Sequence, residues 1–280
     1  MLDRSNMIYL YDGSFNGLLC CVFESYDKRE MPAEILTPDI PQAILFPVKE
    51  IMTDPQKANR VLASIPKKMG HAALDFLRHA FLTCLPQKEL HILRFMRMGY
   101  CHGPSVMAIL ANDAMHILFK AVKHLKNESH LLKGFLRFSV FHNVLVGEIE
   151  PKNYVLPLLR QHFCQRYPEE SFFIFDKTHG MALAYHPYQS AIIAVEDLVL
   201  PEPDKKEQSF RELWRLFYET IEVKGRHNPQ CRMSHMPKRY WKYMTEFNRP
   251  QESLPMSAYP GGKKLLDGGS DFIKMHPPLY

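Results

Sequence analysis

Residues 135–150, FLRFSVFHNVLVGEIE, hold two β-rich runs, 135–141 and 144–150, parted by His142-Asn143. A two-residue loop between two such runs is the signal of a β-hairpin. It sets Phe141 opposite Val144, and counting back along both strands then sets Arg137 opposite Glu148. A cross-strand ion pair of that kind is worth roughly 0.2–1 kcal/mol. Arg137 has a second reading, in which it and Lys133 point from the sheet surface toward phosphate.

Outward from the hairpin the pattern continues. Asn153 reads as the N-cap of a helix through residue 167, with Pro157 tolerated in its first turn. Residues 172–176 and 181–185 form a second hairpin around 177–180, and 191–195 adds a fifth strand. Two hairpins about one helix give a ββαββ core. This predicts an α+β fold with an antiparallel sheet of about four to five strands, covered by helices.

Upstream the chain is mostly helical. Helices are expected over 56–65, 70–84, 87–98 with Gly99 as C-terminal cap, and 113–126. In the last of these Ala114, Ile117, Leu118, Ala121, Val122 and Leu125 make one apolar stripe, and His116, Lys120, Lys123 and Lys126 lie off it as a solvated basic face. Residues 7–11 read as a short buried strand, Asp12-Gly13-Ser14 as a turn, and Ser14 as the N-cap of a helix through 25. DGSFNG matches neither a P-loop nor GxGxxG, so a packed turn is its plain reading. Residues 31–55 are proline-rich and partly extended. Phe210, Leu213, Trp214, Phe217 and Ile221 mark an amphipathic helix. The expected organisation is a strand-helix and helical region at 1–85, an α+β domain at 86–249, and a flexible tail rich in Pro and Gly at 250–280.

The 280 residues suffice for one large domain or two small ones, and 46% hydrophobic with 12% aromatic residues suffice for a packed core. A net charge of +5 is a mild excess. Six scattered cysteines without a CxxC suit a reducing cytoplasm. Asp3 and Asp12 before the short apolar run 17–23 argue against a signal peptide, and no apolar run reaches the ~18 residues of a membrane span.

One segment concentrates charge. Residues 224–244, KGRHNPQCRMSHMPKRYWKYM, carry Lys224, Arg226, Arg232, Lys238, Arg239 and Lys242 and no acid, with His227, His235, Tyr240, Trp241 and Tyr243 interleaved. Cations contact phosphates and aromatic faces stack on bases, so the segment reads as a nucleic-acid contact surface. Its plain alternative is a solvated basic helix. If Pro237 opens a helix, Lys238, Arg239 and Lys242 share one side and Tyr240, Trp241 and Met244 another, with Trp241 as the docking anchor.

Catalytic chemistry is less marked. Asp12, Glu128 and Asp176 are the carboxylates a hydrolase or nuclease would use, and turn capping is the plain reading of Asp176. His162 falls with Leu158, Leu159 and Phe163 on one helical face, as a core histidine bonded to backbone does. Cys231 has His227 and His235 four residues to either side, but no fourth ligand, so no metal is expected. No cofactor motif is present.

Tyr11-Asp12-Gly13-Ser14-Phe15 with Gly17-Leu18-Leu19-Cys20, then Glu128-x-His130, Lys133-Gly134-Phe135-Leu136-Arg137-Phe138 and Met236-Pro237-x-Arg239-Tyr240-Trp241-Lys242, span residues 7–247. Together they resemble a bacterial family of DNA metabolism or DNA repair proteins of unknown biochemical activity. Its members are usually encoded beside a radical-SAM protein, and its C-terminal domain is sometimes fused to a uracil-DNA-glycosylase-like domain. This chain has Leu131 where that family has an arginine after its Glu-x-His. The resemblance implies a DNA-linked accessory role. Radical chemistry would belong to the partner, because the CxxxCxxC triplet of such iron–sulfur clusters is missing here. On this reading Lys133, Arg137, Arg226, Arg232, Lys238, Arg239 and Lys242 contact phosphate. The alternatives are a carboxylate-dependent hydrolase and a protein–protein adaptor.

Overall fold

The computed structural model of the protein describes residues 3–4, 6–38, 46–108, 113–196, 198, 202–221 and 228–247. The expected tail at 250–280, and Lys224, Arg226 and His227 of the basic segment, lie outside the described residues. The chain forms two compact units. The first takes residues up to 128 with 152–155, and the second takes 129–151 with 156 onward. The compact units thus divide at residue 128.

In the first unit β1 (Asp3–Arg4) precedes β2 (Ile8–Leu10). The turn after β2 places Ser14 at the N-cap of α1 (Phe15–Asp27), its hydroxyl accepting from Gly17 N at 2.9 Å. Two short strands follow, β3 (Glu30–Met31) and β4 (Glu34–Leu36), and then β5 (Val48–Glu50). β2 is the centre of a three-stranded parallel sheet, flanked by β4 and β5 with Ile8 opposite both Glu34 and Val48. The proline-rich stretch expected to be merely extended supplies both of these edges.

Asp54 caps α2 (Pro55–Met69) by accepting from Gln56 N at 2.8 Å. Next come α3 (His71–Phe81), α4 (Lys88–His102), a 3-10 turn at Gly103–Ala108, and α5 (Asp113–Phe135). Gly99 does not end a helix as expected. A Cβ there would lie 2.0 Å from Cε of Met69, so Gly99 is the point at which α4 admits the Met69 side chain. The helix ends instead at Gly103, whose φ of 64° suits glycine. Leu90, Ile92, Leu93, Phe95 and Met96 of α4 are buried, and all but Leu90 belong to the same core as Leu18, Leu19, Ile65 and Leu77, which is why the unit runs past residue 85.

The last turns of α5 open the second unit. β6 (Ser139–Phe141) and β7 (Val144–Ile149) pair with Phe141 opposite Val144, as the two-residue loop requires. His142 and Asn143 take φ of 48° and 64°, the paired positive values of a type I′ turn. α6 (Leu156–Arg166) follows, then β8 (Phe172–Asp176), β9 (Met181–His186) and β10 (Gln189–Ala194). The sheet order is β10-β9-β8-β7-β6. It is mixed, not antiparallel: β7 and β8 run parallel, with Gly147 opposite Ile174. Each hairpin is antiparallel within itself, but α6 carries the chain back to the end at which β7 began, so the joining strands share a direction.

α6 packs on β9 and β10 with Leu156, Leu159 and Phe163 buried. Asn153 is not its cap; it is held in the first unit. α7 (Lys205–Thr220), capped by Asp204 through Glu207 N at 2.7 Å, and α8 (Pro229–His235) precede a 3-10 turn at Lys238–Tyr243. Among the described residues no helix is long and apolar enough to cross a membrane.

Candidate nucleic-acid interface

Three elements of the second unit meet around an open groove of about 680 Å³. The end of α5 contributes Lys133 and Gly134, and the chain after it Leu136, Arg137 and Phe138. α6 adds His162, Phe163 and Arg166, with Tyr167 just beyond it, and α7 adds Glu207, Phe210, Arg211 and Trp214. The spacing of 162, 163 and 166 along a helix puts these side chains on adjacent turns of one side. Phe163 and Tyr167 stack within 4° of parallel, centroids 6.5 Å apart, and Phe138 stands edge-on to both, at 5.6 and 5.5 Å. The Arg166 guanidinium lies 5.7 Å from the Tyr167 ring and donates to its hydroxyl at 3.3 Å. Phe210 and Trp214 stay 57% and 39% exposed, a large aromatic surface left open to solvent. Four cations line the groove against one carboxylate, Glu207, which is bonded to Arg211 at 2.9 Å.

Arg137 lies in this groove but its charge is taken. Its Nη2 and Nε donate to Glu246 at 2.6 and 3.2 Å, its Nη1 to the carbonyls of Gly134 and Leu136, and its guanidinium sits 5.6 Å from the Trp214 ring. Trp214 Nε1 donates to the same Glu246 at 3.1 Å. A smaller cavity of about 140 Å³ shares Arg137 and Arg211 and adds Arg215 and Lys242.

Residues 86–246 match the model of a family described as a domain of unknown function, DUF4130. The chain belongs to this family. The DUF4130 span contains every groove residue named above. No curated protein matches the sequence.

Within the DUF4130 span the cations expected to touch phosphate are not one group. Lys133 reaches the groove, with Arg137 beside it but neutralised. Arg137 does not pair with Glu148: the ladder stops at Ser139, two residues short of it, and Glu148 pairs with Lys177 at 3.2 Å. Lys242 pairs with Glu150. Arg239 lies over the Tyr240 ring, 4.6 Å from its centroid, and bonds the Tyr240 hydroxyl. Arg232 lies 5.6 Å from the Trp241 ring and 5.5 Å from that of Phe247, and Lys238 lies 6.0 Å from Trp241. Trp241 donates to Met236 O at 2.9 Å and stacks on Phe247 at 4.5 Å. The expected single patch at 224–244 is thus, among the described residues, a set of cations resting on rings and carboxylates. Arg166 and Arg211, which sequence reasoning passed over, line the groove instead. The adjacent Arg166-Tyr167 pair was the signal available for it.

The three carboxylates proposed for hydrolysis each have local work. Asp12 accepts from Ser14 N at 2.9 Å, Ser14 Oγ at 2.7 Å and Thr53 Oγ1 at 2.7 Å. Partial burial pushes its pKa up, but these bonds outweigh that and hold it below the usual carboxylate value. Glu128 is buried and binds backbone N–H groups of 152 and 153. Asp176 is buried and accepts from Thr178 N, His179 N and His179 Nδ1, closing the β8–β9 turn. Cys231 Sγ lies 3.7 Å from His235 Nδ1, and among the described residues no group of three or more His, Cys, Asp or Glu side chains could hold a metal.

His162 departs from the backbone-bonded core histidine expected of it. Its Nε2 is shielded from solvent and has no hydrogen-bond partner. Burial, then the charges of Lys133 and Arg166, hold its pKa below the ordinary histidine value. His91 in the first unit is likewise depressed, by burial and then by Arg94. Below about pH 6.5 the unfolded chain binds protons at both positions that the folded chain refuses, so stability falls on acidification. The carboxyls of Asp12 and Glu30, lowered in the fold, lose their contributions only at more acid pH. Urea melts between about pH 7 and 5 are therefore expected to show declining midpoints. The double variant His91→Phe/His162→Phe should flatten that limb. An unchanged limb would show that other groups titrate there.

Proposed function

We propose that this protein binds nucleic acid through the groove of its second unit and acts as an accessory factor in DNA metabolism or repair. The observation that carries the reading is the joining of Lys133 and Arg166 with the open aromatic surfaces of Phe210 and Trp214. Cations track a phosphate backbone and aromatic rings take bases, a pairing typical of nucleic-acid sites. The DNA-repair context, a radical-SAM partner supplying the radical chemistry, and kinship with chains fused to a uracil-DNA-glycosylase-like domain come from the resemblance in the sequence motifs. The six cysteines are unpaired, which supports a reducing, cytoplasmic setting.

The test is a salt-titrated anisotropy measurement with single- and double-stranded DNA. The double variant Lys133→Ala/Arg166→Ala should bind roughly tenfold more weakly and flatten the salt slope by about one unit per lost contact. Lys242→Ala, already paired, should do less. Unchanged affinity and slope would reject the reading.

One observation favours a second reading, a protein–protein adaptor. Leu213, Leu216, Phe217 and Ile221 of α7 and the residue after it are 50–60% exposed, an apolar stripe turned outward. Partner binding that ignores salt would favour it, since phosphate contacts release counterions.

A further inference from the structure

We propose that the smaller cavity beside the groove binds a phosphate monoester, the terminal phosphate of a strand lying in the groove. The proposal rests on the nucleic-acid reading and adds to it a strand end and a second binding site.

The sheet builds one wall of the cavity. Side chains alternate along a strand, so Ser139 and Phe141 of β6 share a face with Val146 and Glu148 of β7. α7 adds Arg211 and Arg215, one turn apart on the same side of the helix. Arg137, Arg211 and Thr245 line both this cavity and the groove, so the two spaces share walls.

Four lining side chains are cations, Arg137, Arg211, Arg215 and Lys242, and one is a carboxylate, Glu148. Glu148 is met by Lys177 at 3.2 Å. Glu246, Glu207 and Glu150 pair with Arg137, Arg211 and Lys242, and none of these three acids lines the cavity. Donor capacity, rather than net charge, therefore marks the site. Arg211 gives Nε to Glu207 and Nη2 to Ser139 Oγ, and its Nη1 makes no hydrogen bond among the described residues. Ser139 accepts in that bond, and its own O–H, like that of Thr245, has no acceptor among the described residues. An arginine fixed from behind by a carboxylate is oriented before a ligand arrives, which lowers the ordering cost of binding. Surplus donors call for a ligand that only accepts. A phosphate monoester does so, with close to two negative charges near pH 7 and three acceptor oxygens.

Size selects the end of a strand. A volume of about 140 Å³ matches a group the size of benzene, which suits one phosphate and excludes a nucleotide. An internal phosphodiester carries a nucleoside on both sides and needs two ways out of the cavity. A terminal phosphate needs one, toward the groove.

The experiment uses the full chain and labelled single strands of about 12 nucleotides, a length within single-strand site sizes. The strands end in a 5′-phosphate, in a 3′-phosphate, or in hydroxyls at both ends, and ionic strength is held fixed. Wild type should bind one phosphorylated strand about fivefold or more tighter than the hydroxyl-ended one, and the preferred end gives the direction of the strand. Inorganic phosphate should erase that gain and leave the hydroxyl-ended strand bound as before. Ser139→Ala should cut the gain by about threefold, and Ser139→Thr, which keeps the hydroxyl, should retain it. No gain at either end, or an equal gain at both, overturns the terminal-phosphate site while leaving strand binding intact, and needs no variant to fold. Inorganic phosphate that weakens all three strands alike, or a gain that Ser139→Ala and Lys242→Ala both leave whole, overturns its place in this cavity. Failure of every strand to bind overturns the underlying nucleic-acid reading. Inorganic phosphate that still raises the melting temperature would then keep the phosphate site and reject its strand.

Discussion

Replacing Glu128 by alanine is expected to cost about 3 kcal/mol or more of stability. Glu128 is 1% exposed, and its carboxylate accepts from Lys152 N at 3.1 Å, Asn153 N at 2.9 Å and Asn153 Nδ2 at 2.6 Å. Asn153 is buried too, and its Oδ1 accepts from Cys84 N at 3.0 Å. These hydrogen bonds, with Tyr154 N donating to Leu82 O at 2.9 Å, fasten residues 152–155 into the first unit. Alanine would strip three donors of their acceptor in a site that water reaches poorly, and a charge-assisted bond is worth roughly 1.5–3 kcal/mol where a donor is left orphaned. Glu128→Gln keeps one acceptor oxygen and should cost less. The readout must be far-UV circular dichroism in urea. Both tryptophans, Trp214 and Trp241, belong to the second unit, so their fluorescence is blind to the first. A loss below about 1 kcal/mol would show that the network is not what holds this segment. The same geometry explains the Glu of the Glu-x-His motif: its carboxylate is a structural acceptor for two backbone N–H groups and one amide.

The hairpin turn at 142–143 and its register were legible because their information is local, whereas the strand expected from 135 begins only at Ser139, α5 running through Phe135. Two residues between two β-rich runs leave one compatible turn and one register, and His142 and Asn143 both tolerate positive φ. Sheet direction was not local. Whether the second hairpin continues antiparallel depends on the end at which α6 releases the chain, which neither hairpin records. Gly99 failed for a related reason: a glycine that ends a helix and a glycine that admits Met69 from α2 look alike without the neighbour. Periodicity in α7 revealed two faces but not their orientation. The helix turns Glu207, Arg211, Trp214 and Arg215 to bonds with Val140, Ser139, Glu246 and Thr245, and leaves Phe210, Leu213, Leu216 and Phe217 outside. For the site, local cation density pointed to 224–244, while the groove draws Lys133, His162, Arg166 and Trp214 from segments dozens of residues apart. The acid that neutralises Arg137 lies 109 residues along the chain.

That acid is the place of the second large effect. The Glu246 side chain is 1% exposed and faces three donors, Arg137 Nη2, Arg137 Nε and Trp214 Nε1. Removing one member of a buried pair costs roughly 3–5 kcal/mol, because the remaining charge keeps its desolvation cost without its partner. Arg137 retains 25% of its side-chain exposure, so water can partly compensate it, and Glu246→Ala should fall near the lower end, about 3 kcal/mol. Arg137→Ala leaves the more deeply buried carboxylate uncompensated and should cost at least as much. The double variant Arg137→Met/Glu246→Leu leaves no lone charge and should be more stable than either single variant, a coupling that a double-mutant cycle would measure. Tryptophan fluorescence is the suitable probe here, since Trp214 itself donates to Glu246. The pair also bears on function. A guanidinium whose charge is cancelled by a buried carboxylate releases no counterion from DNA, so Arg137→Leu/Glu246→Leu should leave the salt slope of binding where wild type has it, whereas Lys133→Ala/Arg166→Ala should flatten it. A slope that falls with the buried pair would return Arg137 to the phosphate contacts and make Glu246 the group that aims it.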